Sequence, residues 1–354
     1  MIQNAKTTAA ETRSDAKPAA PRIAIIGCGA IAERYHLPGL AKIPGVIHNV
    51  VLVDRSVERR ELMSRQFGIQ QQAMDLSEVI GQIDGAIVAV PPALHHSICM
   101  QLLSGNVPVL CEKPLAESPA EASELVAVAK QRGVPLGVNH TRRVLPAYAE
   151  IKRIVSSGEI GKLVEIRWEE GCEFDWPASS AFHFRSGARG VLLDTGVHSL
   201  DLICWWLGQK PEVISCQTDS FGGPEAMAAV RLRSGPCKVF VKHSWLSRLA
   251  NRYTLVGERG TISGELDYFD RVTVLTPDGQ RKERRLRGPE RTYGDFGARI
   301  VANFIDVIAG KAQPLVPAAS VLPSLEVMDE CYESATRLDM PWLQAEEIAS
   351  YASA

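Results

Sequence analysis

The segment 22–36, "RIAIIGCGAIAERYH", constrains the architecture more than any other stretch of the chain. Ile23, Ala24, Ile25 and Ile26 run without polar alternation, the pattern of a strand covered on both faces, and therefore of a parallel sheet flanked by helices. Gly27, Gly29 and Ala32 follow in G-x-G-x-x-A spacing. Gly27 lets the chain turn, Gly29 lets the backbone approach a pyrophosphate, and Ala32 lets the next helix pack closely, with Ala30 and Ile31 at the helix entrance where an anion would sit. By itself such a loop is only a tight turn. It gains specificity because "NVVLVD" ends in Asp54, 22 residues after Ala32, where a carboxylate can accept hydrogen bonds from the hydroxyls of an adenosine ribose. The pattern points to NAD. Arg55 could neutralise the 2′-phosphate of NADP while Asp54 would repel it, so NAD is favoured and NADP stays open.

The same rhythm continues through "GAIVAV", "VPVLCE" and "VPLGV", which read as further buried strands. Helices lie between them: "SVERRELMSRQFG" opens at Ser56 and stops at Gly68, and "SPAEASELVAVAKQRG" opens at Ser118 with Pro119 in its first position. Residues 22–142 therefore read as a doubly wound parallel α/β domain. After the helix "YAEIKRIVSSGEIG", ended by Gly158, strand-like runs take over: "KLVEIRWEEG", "EVISCQT", "AMAAVRLR", "CKVFVKHSW", "YTLVGE", "GTISGEL" and "RVTVLT". Turn signals such as "RSGP" and "GERG" between them predict a mainly antiparallel sheet. Two helical patterns, "DFGARIVANFIDVIAG" and "SVLPSLEVMDECYESATR", complete a second domain over 143–354. A length of 354 residues suits two such cores.

Charge narrows the partners. With 39 basic and 41 acidic residues, nothing draws the chain as a whole to nucleic acid or an anionic membrane, so a small molecule is expected. No apolar run approaches the roughly 20 residues of a membrane helix. Eight scattered cysteines without a C-x-x-C pair suit reduced, buried thiols and the cytoplasm. Residues 1–21 read as a disordered extension. The basic run 281–291, "RKERRLRGPER", is expected to be an exposed hairpin or loop, with the diphosphate of a nucleotide-linked sugar as an alternative ligand.

Three stretches carry candidate chemistry. In "AIVAVPPALHHSI" a strand ends in Pro91-Pro92 and a helix begins near Leu94, at the sheet edge where the cofactor would lie; His95 contacts cofactor or is structural. In "VPVLCEKPLAES", Glu112 and Lys113 end another strand at that edge. A lysine there could stabilise an alkoxide beside a nicotinamide, or could be a surface charge. Finally, "GVLLDTGVHSLDLICWWLG" places Asp194, His198 and Asp201 within a stripe about 60° wide on an otherwise apolar helix. That stripe must face something polar. Asp201 reads better as a supporting carboxylate, and Trp205 as packing.

Taken in order, "GCGAIAERYHLPGL", "PPALHH", "CEKPLA", "NHTRRVLPAY", "SGEIGK" and "LLDTGVHSLDLICWWLG" resemble the Gfo/Idh/MocA oxidoreductases from about Arg22 to the C-terminal "LEVMDECYESA". The resemblance implies an N-terminal Rossmann domain and a C-terminal α/β domain whose large open sheet supports homo-oligomers, dimers or tetramers. It also implies a catalytic group of Lys113, Asp194 and His198 acting on a sugar, polyol, inositol or nucleotide-sugar. His198 would exchange the proton, Lys113 steady the oxygen and Asp194 orient. Arg142 matches the family's arginine-rich segment, although Val144 stands where an aromatic is common. "RSGARGVLLD" replaces a glycine triplet, so that Arg185 and Arg189 would bring positive charge suited to an anionic substrate. Trp176, His183, Arg185 and Tyr293 are candidate substrate contacts, and no metal is expected. A catalytically silent cofactor sensor and a glycosidase that transiently oxidises its sugar are the alternatives.

Overall fold

The computed structural model describes residues 20–175, 188–221, 223–286 and 288–339. The extension over residues 1–19 and the candidates Trp176, His183 and Arg185 lie outside the described residues.

The first sheet is built from β1 (Ile23–Ile26), β2 (Val50–Val53), β3 (Gln71–Ala73), β4 (Gly85–Val88), β5 (Val109–Cys111) and β6 (Leu136–Val138), in the order β3-β2-β1-β4-β5-β6. Every pairing in it is parallel. β1, β2 and β4 are buried along their whole length, as their unalternated apolar sequences require. Strand order reverses between β1 and β4, which opens a crevice at the carboxyl edge. Of α2 (Val57–Phe67), α3 (His95–Ser104) and α4 (Pro119–Arg132), the first and last start where the sequence places them: Ser56 and Ser118 accept the N–H groups of Arg59 and Glu121, and Gly68 and Gly133 end them in left-handed conformation. β3, three residues long and only partly apolar, leaves no sequence signal.

Two helices depart from the expected winding. α1 is a π-helix over Ala32–His36 and α-helical over Leu37–Ala41. α6 is a π-helix over Leu192–Gly196 and α-helical over Val197–Leu207. A 100° step per residue therefore does not hold through Asp194, and π-turns of this kind gather at functional sites.

The second sheet contains β7 (Leu163–Gly171), β8 (Glu212–Thr218), β9 (Met227–Ser234), β10 (Cys237–Ser244), β11 (Arg252–Gly257), β12 (Gly260–Glu265), β13 (Arg271–Leu275), β14 (Arg281–Arg285) and β15 (Ala335–Arg337), ordered β14-β13-β12-β11-β7-β10-β9-β8-β15. Only β7 with β10 and β8 with β15 are parallel, so the expectation of a mainly antiparallel sheet holds. The basic run begins as the outer strand of an exposed hairpin, as expected: β14 pairs with β13, and Arg284 reaches Glu150 and Glu159. One segment needs correction. The last helical pattern ends at Glu333, giving α8 (Leu322–Glu333), and its final residues pair with β8 as β15. Edge pairing satisfies the backbone of both segments and overrides their weak strand propensity.

One face of this sheet packs on α5 (Pro146–Ser157) and α6 through an aromatic cluster of Tyr148, Trp168, Trp206 and Tyr253, with ring centroids 5.7–6.4 Å apart. α7 (Tyr293–Ile308) returns to the first sheet: a Cβ on Gly39 would lie 3.2 Å from Ala298 Cα, and one on Gly85 2.4 Å from Ile308 Cδ1. Glycine permits both approaches. No helix of the described residues is long and apolar enough to cross a membrane.

Between the sheets, Arg143 donates to both oxygens of Asp201 at 2.7 and 2.6 Å and to Ser320, tying the segment after β6 to α6 and to the turn before α8. Both side chains are buried. Arg143→Met leaves the Asp201 carboxylate without its cation, so the variant is expected to lose about 3–5 kcal/mol in urea unfolding; a change under about 1 kcal/mol would contradict this role.

Candidate active site

A cavity of about 840 Å³ follows the carboxyl edge of the first sheet and ends against α6 and β7. Gly27, Gly29, Ala30, Ile31, Asp54 and Arg55 line one end, Pro91, Glu112 and Lys113 the middle, and Arg142, Asp194, His198 and Tyr293 the other. The crevice at the strand-order reversal thus gathers most of the residues singled out in the sequence. Asn139, Thr141, Glu170, Cys172 and Thr195 also line it; Asn139, Thr141 and Thr195 lie inside the motif stretches "NHTRRVLPAY" and "LLDTGVHSLDLICWWLG", whereas Glu170 and Cys172 stand in no motif by which sequence alone could find them.

The loop after β1 has the geometry a dinucleotide requires. Gly27 has φ +96°, and a Cβ there would lie 2.5 Å from Ala89 O, so only glycine fits. Asp54 accepts the N–H groups of Cys28 at 2.7 Å and Ser56 at 2.8 Å, which fixes its carboxylate beside the loop with lone pairs to spare for ribose hydroxyls. Arg55 is exposed next to it. These residues and the cavity fit NAD.

Lys113 and Asp194 meet. Lys113 Nζ donates to Asp194 Oδ1 at 2.9 Å and to the Asp194 carbonyl at 2.8 Å, joining the end of β5 to the π-turn of α6. Glu112, one residue earlier, is buried: Oε1 accepts from Asn139 at 2.6 Å and contacts His36 Nε2 at 2.7 Å, and Oε2 takes the Lys113 N–H. Burial would raise its pKa, but His36, Asn139 and Lys113 together hold it below the usual glutamate value. Glu112 therefore ties the loop to His36 and Asn139 while lining the cavity.

His198 lies one turn after Asp194 and is 9% exposed. Burial, then the charges of Arg142 and Lys113, push its pKa well below the ordinary histidine value, so the ring is neutral near pH 7. Its Nδ1 has no hydrogen-bond partner among the described residues, and its ring meets His140 edge-on at 6.0 Å. Arg142 forms a two-pronged pair with Glu170 at 2.8 and 2.5 Å, and Trp168 Nε1 donates to the same glutamate at 3.0 Å. Tyr293 hydrogen-bonds Thr141 and meets the Tyr35 ring edge-on at 5.7 Å; burial pushes its pKa up to about 12.

Of the other candidates, one is withdrawn from the cavity and two are engaged by counter-charges. His95 is fully buried behind the cavity, its ring nitrogens 2.7 Å from Pro114 O and 2.9 Å from Val90 O, so it braces two site loops. Asp201 faces Arg143. Arg189 lines the cavity but pairs with Asp329 and lies over the Tyr332 ring, which leaves less positive charge at the mouth than its sequence position suggests.

Comparison with known proteins agrees with this architecture. Residues 21–140 match the family model described as an oxidoreductase family with an NAD-binding Rossmann fold, and residues 148–263 match the GFO/IDH/MocA C-terminal domain. D-apiose dehydrogenase of Paraburkholderia graminis is 30% identical over 270 residues, covering 73% of this chain and 70% of that protein. The chain belongs to the Gfo/Idh/MocA oxidoreductase family. Another relative, trans-1,2-dihydrobenzene-1,2-diol dehydrogenase of Xenopus tropicalis, is 26% identical over 264 residues, 73% of this chain and 79% of that one. A solved oxidoreductase from Agrobacterium radiobacter, in complex with NAD+, L-tartaric acid and magnesium, shares the fold with a TM-score of 0.77 at 22% identity, over 89% of this chain and 96% of that one. As a Gfo/Idh/MocA protein, the chain is an oxidoreductase with NAD as its cofactor and NADP as the close alternative. The relatives are dehydrogenases, which does not favour the sensor or glycosidase readings. Among the described residues no cluster of His, Cys, Asp and Glu could hold a metal.

Burial also depresses the pKa values of His95, His140 and His243, the last two to about 4. The unfolded chain then binds more protons than the folded one between about pH 4 and 6.5, so stability rises with pH through that window and levels off above it, with a slope of ~1.4 kcal/mol per pH unit for each histidine titrating. Urea midpoints from pH 4.5 to 8 are expected to climb and then flatten near pH 7; a flat profile below pH 6.5 would show these rings to be charged in the fold.

Proposed function

We propose that this enzyme moves hydride between a nicotinamide and a secondary alcohol or ketone of a sugar, polyol, inositol or nucleotide-sugar. The observation that carries the reading is the convergence of Lys113, Asp194 and a neutral His198 at the end of a cavity that begins at the dinucleotide loop. Bound NAD supplies the hydride acceptor. His198 takes the hydroxyl proton during oxidation and returns it during reduction; its low pKa makes the imidazole a weak base and the imidazolium a strong acid. The Lys113 ammonium stabilises negative charge developing on the substrate oxygen, and Asp194 fixes the ammonium and orients the substrate.

The inner end of the cavity favours a neutral, hydroxyl-rich substrate. Lys113 is paired with Asp194 and Arg142 with Glu170, so these cations already have counter-charges while their partners' oxygens can accept hydroxyl hydrogen bonds. The D-apiose and dihydrobenzenediol dehydrogenases fit the same class. A cytoplasmic protein suits the eight free cysteines. Homo-oligomerisation through the open face of the second sheet suits its partly exposed Phe240 and Val256.

The test is a nicotinamide absorbance screen with NAD and NADP in both directions over inositols, free sugars, sugar acids, ketones and nucleotide-sugars. His198→Asn should reduce turnover about 100-fold or more while NADH affinity stays within about two-fold, and undiminished turnover would remove His198 from the chemistry. In the wild type, kcat/KM for alcohol oxidation should keep its plateau from pH 8 to below 6.5, the side to which the His198 pKa is shifted; a break above pH 7 would contradict a neutral His198. Asp54→Ala should narrow the preference for NAD over NADP.

A further inference from the structure

We propose that Glu225 is the positioning residue that sets the register of Asp194 and His198. This rests on the roles just given to those two side chains. Glu225 lies between β8 and β9, far from the cavity lining in sequence, and is 3% exposed. Its Oε2 accepts the Gly190 N–H at 2.9 Å, its Oε1 accepts the Leu192 N–H at 2.9 Å, and its own carbonyl accepts the Val191 N–H at 2.9 Å. One residue therefore serves three consecutive N–H groups at the entrance to α6, whose first turn has no side-chain cap of its own. Tyr332 from α8 donates its hydroxyl to Oε1 at 2.8 Å, and Arg189 covers the Tyr332 ring at 4.4 Å.

The contact tolerates little displacement. A Cβ on Gly190 would lie 1.9 Å from the Glu225 carbonyl oxygen, so glycine is required for the strand connection and the helix entrance to touch. The Asp194 N–H donates to Gly190 O at 3.1 Å, which places the aspartate in the turn that Glu225 holds. Lys113 grips the opposite side of that turn through the Asp194 carbonyl and carboxylate. The π-turn is thus fixed from two directions, by the lysine that would meet substrate oxygen and by a glutamate that does not line the cavity. A carboxylate is the chemistry such an entrance needs, because it offers only acceptors and its charge suits the positive helix end. Glutamine, in either orientation, turns an NH₂ toward one of the two N–H groups and leaves it unpaired in a buried site.

The experiment compares full-length wild type with Glu225→Gln by amide hydrogen exchange, NADH binding and steady-state kinetics on the substrate found by the screen. Exchange over 190–198 should accelerate about ten-fold while the amides of β1 and α1 keep their wild-type rates. The kcat should fall about ten-fold or more, with NADH affinity within about two-fold and a larger deuterium isotope effect for the C–D substrate, because misplacing the proton-transfer group slows the chemical step. Unchanged exchange, or a kcat within about two-fold of wild type, overturns the proposal, as does a loss of kcat matched by an equal loss of NADH affinity. Should Glu225→Gln not fold, Glu225→Asp, which keeps the charge but is one methylene too short, carries the same comparison. Hydrogen exchange needs no substrate, so a screen without turnover, which would count against the proposed function, leaves that arm to decide whether Glu225 holds the turn.

Discussion

The contact between the Lys113 ammonium and Asp194 is the interaction on which the centre of the molecule depends. It joins the carboxyl edge of a parallel sheet to a helix belonging to the other half of the chain. An ion pair in a partly enclosed place contributes little net stability, because desolvation consumes much of the Coulomb energy; what it supplies is a unique geometry. Here it brings the end of β5 and the π-turn of α6 to one point on the cavity wall. Neither half can form that point alone.

Around it the side chains fall into two sets. Glu112 and Asn139 in the cavity wall, with His36 and His95 behind it, brace the loops of the first sheet, while Arg143, Asp201 and Ser320 fix α6 against the turn before α8. Arg142 and Glu170 face the cavity between these supports. Burial is what makes the arrangement chemically useful. It removes competing water from the ion pairs and keeps His198 neutral, since a charged imidazole there would lie near two cations.

Much of the first sheet was legible because its local and global signals coincide. The runs 23–26, 50–53 and 85–88 are apolar on both faces, and Ser56, Gly68, Ser118 and Gly133 mark helix ends by chemistry that operates within a few residues. The edge strands β3 and β15 were not legible, since a short polar segment becomes a strand only when a neighbour supplies hydrogen bonds. The π-winding of α1 and α6 was hidden for a related reason: the apolar spacing of "GVLLDTGVHSLD" also fits an α-helix, and the choice is made at the helix entrance.

The sequence by itself marked the glycine loop and the Asp54 carboxylate through the spacing of a short motif, and its resemblance to a family singled out Lys113, Asp194 and His198. Tertiary structure alone decided the rest. Glu225 reaches Gly190 across 35 residues, Glu170 finds Arg142 across 28, and Asp201 turns from the stripe it shares with His198 toward Arg143. His95 likewise withdraws behind the cavity to two backbone carbonyls. These outcomes depend on which buried charge or polar group finds a partner once the sheets are assembled, and a one-dimensional pattern records the residues but not the distances between them.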